Sequence, residues 1–294
     1  MERESLLTVL VVLLGGVALQ PLAMLPLRPT VGGAHGVERH AWLRLWLPVM
    51  PAMLVAAWLC GWALREPDPV DDRLSQWVLI GACLPFALIA ARAVARAVWA
   101  LGRDPRDADV CTVGLLRPRV LFSPFLARTL DDAALQAAWQ HEQAHACHRD
   151  PLRIWLAQLA TDLQWPWPGA RARFDGWLEA LECARDDEAR SLGTSGEDLA
   201  AALLTTLRHT QGARKEPSRP GRSTIQAHAL LVGDRDALQR RIERLLAPLP
   251  ESQMSSALTS PRIEARFAGL LMVAGLLGAL YGEPILRHLL AWTS

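Results

Sequence analysis

The sequence is poor in lysine, tyrosine and paired cysteine. Among its 294 residues, Lys215 is the single lysine and Tyr281 the single tyrosine. Its 31 basic and 30 acidic residues leave a net charge of +1, so it lacks the basic surplus typical of nucleic-acid-binding proteins, and we expect no direct binding of nucleic acid. The five cysteines are odd in number and form no C-x-x-C pair, which argues against a disulfide framework.

Apolar residues make up 51% of the chain and are concentrated in long uncharged runs. The runs at 6–25 and 45–64 are each long enough, as helices, to cross the apolar core of a bilayer, which is about 30 Å thick. A third run is uncharged from 74 to 91, and its helix is predicted to continue to 101 with Arg92 and Arg96 reaching towards the lipid head groups. A shorter fourth run spans 267–282, for which a buried soluble helix is the alternative. We therefore predict an integral membrane protein with about four transmembrane helices and a contact with the lipid bilayer.

The charges of the short loops predict how these helices are oriented. The loop between the first two runs and the segment after the third are rich in arginine, whereas the loop at 66–72 is acidic. The positive-inside rule then places the N-terminus in the periplasm of a bacterial inner (cytoplasmic) membrane. The predicted organisation is three transmembrane helices in 1–101, a cytosolic domain in 102–266, and a fourth helix with a short periplasmic tail in 267–294.

The cytosolic region is predicted to be mainly helical. Residues 110–122 contain β-branched residues around Gly114 and Pro118, which is typical of a strand pair. Asp131 or Thr129 can cap the first helix, whose predicted core face includes Leu135, Ala138 and Trp139. The predicted helices span about 132–149, 152–163, 173–192, 197–209 and 237–246. Residues 211–226 are rich in Gly, Pro, Ser and Arg and are predicted to form an exposed loop.

An H-E-x-x-H motif lies on the first of these helices. His141 and His145 are four residues apart and share a helical face, so both imidazoles can bind one metal ion. Glu142 lies beside them and can accept a proton from an attacking water molecule. The motif therefore predicts a metal-dependent hydrolase.

Catalytic zinc usually has three protein ligands, and the third normally comes from another element. Glu182 is the best candidate, with Asp186 following on the same helical face; a solvated charged face is the alternative. His148 could compete as a ligand, but a surface or supporting role is favoured, and Cys147 is expected to pack. The spare histidines, either of which could stabilise an oxyanion, are His209 and His228.

The chain resembles the BlaR/MecR-type membrane metallopeptidases, peptidase family M fifty-six of the gluzincin group. The resemblance is carried by four blocks, at 114–120, 141–150, 182–187 and 238–246. It implies a gluzincin-like α+β zinc peptidase domain between the third and fourth transmembrane helices. Unlike the antibiotic-sensing members, the sequence carries no large penicillin-binding sensor after the last run.

The resemblance assigns zinc to His141, His145 and Glu182, and the role of general base to Glu142. It further implies a cytosolic protein substrate, either a transcriptional repressor or the chain itself, cleaved in signal transduction. The residues implied to surround the ligands are Asp186, which would hydrogen-bond His141, together with Asp150 and Arg149.

Two other functions remain open from the sequence. One is a membrane protease of the heat-shock or prenyl-protease type, whose downstream block has alanine where Arg185 stands here. The other is a non-catalytic membrane scaffold with a vestigial zinc site. Gly278 and Gly282 have the spacing of a helix-packing motif, which weakly indicates a homodimer.

Overall fold

The computed structural model describes residues 16–25, 33–54, 84, 88–89, 91–96, 98, 110–122, 124, 126–165, 167, 169–214 and 235–248. Over these residues the protein is mainly helical, as predicted, with one two-stranded sheet. The main elements are α1 (Gly33–Trp46), a 3-10 helix (Leu47–Val49), β1 (Val110–Val113), β2 (Arg119–Phe122), α2 (Leu126–Thr129), α3 (Asp132–Cys147), α4 (Asp150–Leu163), α5 (Gly169–Ser191), α6 (Gly196–Arg214) and α7 (Arg235–Leu246).

The strands form the antiparallel hairpin predicted for 110–122, with Val113 paired to Arg119. Gly114 opens the turn with a φ of +96°, and a Cβ atom there would lie 2.7 Å from the carbonyl oxygen of Arg117. Glycine is therefore the residue that this turn accepts. β1 packs against α3, which brings the hairpin to the helix that carries the H-E-x-x-H motif.

Helix α3 begins where the sequence indicated. Asp131 is its N-cap, with the side chain accepting a hydrogen bond of 2.7 Å from the backbone N–H of Ala134. The predicted core face of Leu135, Ala138 and Trp139 was wrong in part, because Trp139 is 48% exposed. The buried face consists of Ala134, Ala137, His141, Glu142, Ala144 and His145. Alanine is small, so this face lets neighbouring helices approach closely while both histidines point inward.

Helices α4 to α7 overlap the four remaining predicted helices, with bounds that differ by a few residues. Helix α6 extends to Arg214, so the first residues of the loop predicted at 211–226 are helical instead. The rest of that loop lies outside the described residues.

A first apolar core joins α1 to α4 and α5. Its buried members are Trp42, Leu45, Trp46, Val49, Ala157, Ala160, Phe174, Trp177, Leu178 and Leu181. Because α1 supplies several of the large side chains, the segment 33–49 belongs to the same packed unit as the helices of the predicted cytosolic domain. The predicted domain boundary at residue 101 left this segment out.

A second apolar core lies at the other end of α5, where α3, α6 and α7 meet it. Its buried members are Ala137, Ala189, Leu199, Ala200, Leu203, Leu207 and Leu245. Helix α5 contributes to both cores, so the middle of α5 runs between them. Glu182 lies in this middle part and is 1% exposed.

The predicted transmembrane runs are described only in part. Residues 16–24 are helical, and residues 45–46 of the second run end α1 in the first core. Within the described part of the chain, no helix is both long enough and apolar enough to cross a bilayer. The fourth run, at 267–282, and the glycine pair within it lie outside that part.

Candidate metal centre

Three buried side chains converge between the two cores. The Nε2 atoms of His141 and His145 are 3.1 Å apart, and the carboxylate of Glu182 lies 3.4 Å from the first and 3.6 Å from the second. Ligand atoms bound tetrahedrally to one zinc ion at its usual bond lengths are separated by about 3.3 Å. The three groups could therefore hold a metal ion without rearrangement.

The local fold explains this convergence. His141 and His145 are one helical turn apart on the alanine-rich face of α3, so their rings point the same way. Helix α5 packs against that face and brings Glu182 to it. The histidines share one helix and the carboxylate comes from another, which is the arrangement that the sequence indicated.

Each imidazole is held on its other nitrogen by an aspartate. Asp186 lies 2.9 Å from Nδ1 of His141, and Asp150 lies 2.8 Å from Nδ1 of His145. A carboxylate on Nδ1 favours the tautomer that leaves Nε2 available to a metal ion. Both rings are thus oriented with their Nε2 atoms towards Glu182.

Each of these aspartates is in turn bound by an arginine. Arg241, on α7, makes two hydrogen bonds to Asp186, of 2.7 and 2.8 Å, and places its Nη1 atom 2.9 Å from Glu182. Arg185 makes two hydrogen bonds to Asp150, of 2.6 and 3.1 Å. All of these side chains are buried. They form a network in which each arginine lies between acidic groups, shielded from water.

The network shifts the acidity of its members. Burial alone would raise the pKa of Asp150 and of Asp186, but the charges of Arg185 and Arg241 hold both well below the usual range. Burial alone would lower the pKa of His141, but hydrogen bonds to Asp186 and Glu182 raise it to about 10. Asp186 and Glu182 therefore favour the positively charged form of His141.

The turn between α3 and α4 places Asp150. Arg149 has a φ of +54°, in the left-handed region that non-glycine residues seldom adopt, and α4 starts directly after it. The chain thereby folds back so that Asp150 reaches His145, five residues earlier. The side chain of Arg149 is exposed, so this residue contributes to the site through its backbone.

Glu142 follows His141 on α3, is 5% exposed and lines the same cavity as His141. The hydroxyl of Thr112, on β1, lies 2.7 Å from its carboxylate oxygen Oε2 and 3.0 Å from its backbone carbonyl oxygen. A hydroxyl has one proton, so it donates to one of these oxygens at a time. The hairpin therefore orients the carboxylate of Glu142.

Comparisons with protein-family models, with curated proteins and with solved structures found no match. The side chains themselves carry the chemistry of the site.

A cavity adjoins the cluster on the side of α6. His141, Glu142, Asp186 and Arg241 form its polar wall. The remaining lining residues, mostly small or apolar, are Ala138, Leu199, Ala202, Leu203 and Thr206. A molecule entering this cavity would meet Glu142 and His141 together.

The other sequence candidates lie outside the cluster. His148 is 3.0 Å from Glu188 and its side chain is 32% exposed, so it is not among the ligands. Cys147 was expected to pack but is exposed, because it is the last residue of α3 and lies off the face that buries His141 and His145. The side chains of His209 and His228 are not among those described.

The sequence did not single out Thr112 or Arg241 as parts of the site, nor Glu38, which is linked to Asp150 through Arg153. Arg241 lies within one of the blocks that carry the resemblance, at 238–246, and that block was the one available signal. Thr112 and Glu38 are far from the motif in sequence, and nothing in their local pattern indicated a contact with it.

Proposed function

We propose that this chain is a membrane-bound zinc endopeptidase of the BlaR/MecR type, which cleaves a cytosolic regulatory protein. The observation that carries the proposal is the buried convergence of His141, His145 and Glu182, with Glu142 lining the same cavity as His141. The two carboxylates on Nδ1 support it, because they orient both imidazoles for a metal ion. Glu142 and the adjoining cavity support a catalytic site, because a purely structural metal site needs neither a positioned base nor open space beside it.

Zinc is the metal proposed here, because the two histidines belong to an H-E-x-x-H motif. Two imidazole nitrogens and one carboxylate oxygen are the three protein ligands of many catalytic zinc sites, whereas calcium and magnesium prefer sites made of oxygen atoms. When bound, zinc supplies a Lewis acid that polarises a peptide carbonyl and lowers the pKa of water towards about 7.

The chain's own residues perform the proton transfers. Glu142 accepts a proton from the attacking water and delivers it to the leaving amine. Thr112 keeps the Glu142 carboxylate in place by its hydrogen bond to Oε2. Asp186 and Asp150 hold the two imidazoles through their Nδ1 atoms. The apolar part of the cavity accommodates a side chain of the substrate.

The BlaR/MecR type is favoured over the heat-shock and prenyl-protease type by Arg185. That arginine is 1% exposed and makes two hydrogen bonds to Asp150, a role that the alanine of the other families cannot fill. The proposed location is a bacterial inner membrane, with the catalytic unit in the cytosol. The sequence supports this location by its apolar runs and the arginines that flank them.

Replacing Glu142 by Gln tests the peptidase function. The change keeps the side-chain size and removes the base, so we expect unchanged zinc content and about 10²- to 10⁴-fold slower proteolysis. The parent and the variant are expressed in the same host, and new protein N-termini are identified by mass spectrometry. Cells with the parent should contain cleavage products that are absent from cells with Glu142→Gln.

Glu179→Gln is the matched control, since Glu179 is exposed and pairs with Arg240 at the surface. It should give the same cleavage products as the parent. A folded, zinc-loaded Glu142→Gln chain that gives those products too would contradict the peptidase function and favour the scaffold.

A further inference from the structure

A buried chain of side chains connects α1 to the metal centre. Glu38, on α1, accepts a hydrogen bond of 2.5 Å from Nη2 of Arg153. Nη1 of Arg153 donates to Oδ1 of Asp150 at 3.0 Å. The other oxygen of Asp150, Oδ2, is the one that lies 2.8 Å from Nδ1 of His145. Three contacts thus lead from α1 to a metal ligand 107 positions later in the sequence.

The side chains that make these contacts are buried, so the interactions between their charges are strong. The side chains of Glu38 and Arg153 are each 8% exposed, and that of Asp150 is fully buried. In such surroundings the loss of one partner leaves the next charge under-compensated, and that charge then reorients or draws in water. A change at Glu38 would therefore alter the position of Arg153 beside Asp150, which Arg185 also holds by two hydrogen bonds.

The packing of α1 against the neighbouring helices fixes the position of the Glu38 side chain. Trp42, one turn after Glu38, packs on Trp177 with ring centroids 5.0 Å apart. The indole N–H of Trp177 donates to the same oxygen of Glu38 at 2.9 Å, and the Arg153 guanidinium lies over the Trp42 ring at 5.1 Å. Trp42 and Trp177, which pack α1 in place, thus also contact Arg153 and Glu38. A shift of α1 would therefore move Arg153.

We propose that Glu38 is a positioning residue of the metal centre. Through Glu38, the position of α1 against α4 and α5 sets the orientation of the His145 imidazole. Helix α1 lies between the apolar runs at 6–25 and 45–64, and the second run begins in its last turn. A signal that moves either run therefore changes the metal affinity of the site, which gives the proposed peptidase a route of control. The inference rests on the proposed function only in requiring that the site bind a metal ion.

The test measures metal binding to the purified full-length chain. Zinc affinity is measured by competition with a chelator, and the absorption spectrum of the cobalt-substituted chain reports the ligand geometry. Glu38→Gln should weaken zinc binding by about 10-fold, at the lower end of the effect of losing a group that supports a ligand. It should also shift the cobalt bands, a signature that a loss of stability alone does not produce.

A double-mutant cycle tests the route. If Glu38 acts through Arg153, then Glu38→Gln combined with Arg153→Met should bind zinc no more weakly than Arg153→Met alone. Glu38→Asp provides a second variant should Glu38→Gln not fold, because it keeps the charge but shortens the reach to Arg153. The control is Glu179→Gln, at an exposed glutamate, which should match the parent.

Unchanged zinc affinity and cobalt spectrum in folded Glu38→Gln or Glu38→Asp would overturn the inference, even if the melting temperature fell. Additive losses in the cycle would overturn the route through Arg153. A parent chain that binds no zinc would instead contradict the proposed function, so the two failures are distinguishable.

Discussion

At the scale of single residues, Arg241 binds two acidic side chains of the candidate metal centre, Asp186 and Glu182. Its guanidinium binds both oxygens of Asp186 and lies 2.9 Å from Glu182, while the side chain is 8% exposed. A planar guanidinium matches two carboxylates in this way, which a lysine ammonium cannot do. Arg241 therefore offsets the repulsion between two buried carboxylates that also face a metal site.

This role predicts a metal-dependent loss of stability in Arg241→Met. Breaking a buried ion pair leaves uncompensated charge and typically costs about 3–5 kcal/mol. Zinc supplies positive charge at the same place, so the loss should be larger without zinc than with it. Melting temperatures of the parent and the variant, each with and without zinc, measure the difference.

The neighbouring residue supplies the control. Arg240 pairs with Glu179 at the surface, where its side chain is 56% exposed, so Arg240→Met should change stability by no more than about 1 kcal/mol. If Arg241→Met loses the same stability with zinc as without it, the proposed compensation between Arg241 and the metal ion is wrong.

A site residue could be predicted from the sequence when it lies close along the chain to the other site residues. His141, Glu142 and His145 follow from spacing on one helix, because helical geometry is local. Glu182 needed a pattern on a second helix, and its contact with the histidines depends on how α3 packs on α5. Glu38 and Arg241 contact the site only through tertiary packing, which single-sequence periodicity does not encode.

At the scale of elements, α1 is the main departure from the sequence-based organisation. Its arginines and its position between two apolar runs made it a loop in the prediction. The structure instead buries Trp42, Leu45 and Trp46 against α4 and α5. Its buried residues include Gly36 and Glu38 beside the tryptophans, so its apolar pattern did not predict a packed helix.

Trp42→Ala tests whether α1 belongs to the folded unit. Trp42 is 8% exposed and packs on Trp46 and Trp177, so its removal should lower the free energy of unfolding by about 3–5 kcal/mol. Thermal melts of the full-length chain measure the change. Trp165→Ala is the control, because Trp165 is 81% exposed and its loss should cost within about 0.5 kcal/mol. Equal effects of the two changes would contradict the packing of α1.

At the scale of the whole molecule, the candidate metal centre lies where the two apolar cores of the described residues meet. One core contains α1, α4 and α5, and the other contains α3, α6 and α7 with the end of α5. Helices of the first core carry Asp150 and Arg185, which support His145. Helices of the second core carry Asp186 and Arg241, which support His141. The halves of the folded unit therefore meet at His141, His145 and Glu182, and the packing of each half sets the position of one imidazole.

The metal content of the full-length chain tests the central claim most directly. The parent should retain one zinc ion per chain after dialysis, measured by elemental analysis. Glu182→Ala should lose it, because a ligand is removed, whereas His148→Ala should keep it, because His148 pairs with Glu188 outside the cluster. A Glu182→Ala chain that holds zinc as tightly as the parent, beside a His148→Ala chain that loses it, would contradict the assigned metal centre.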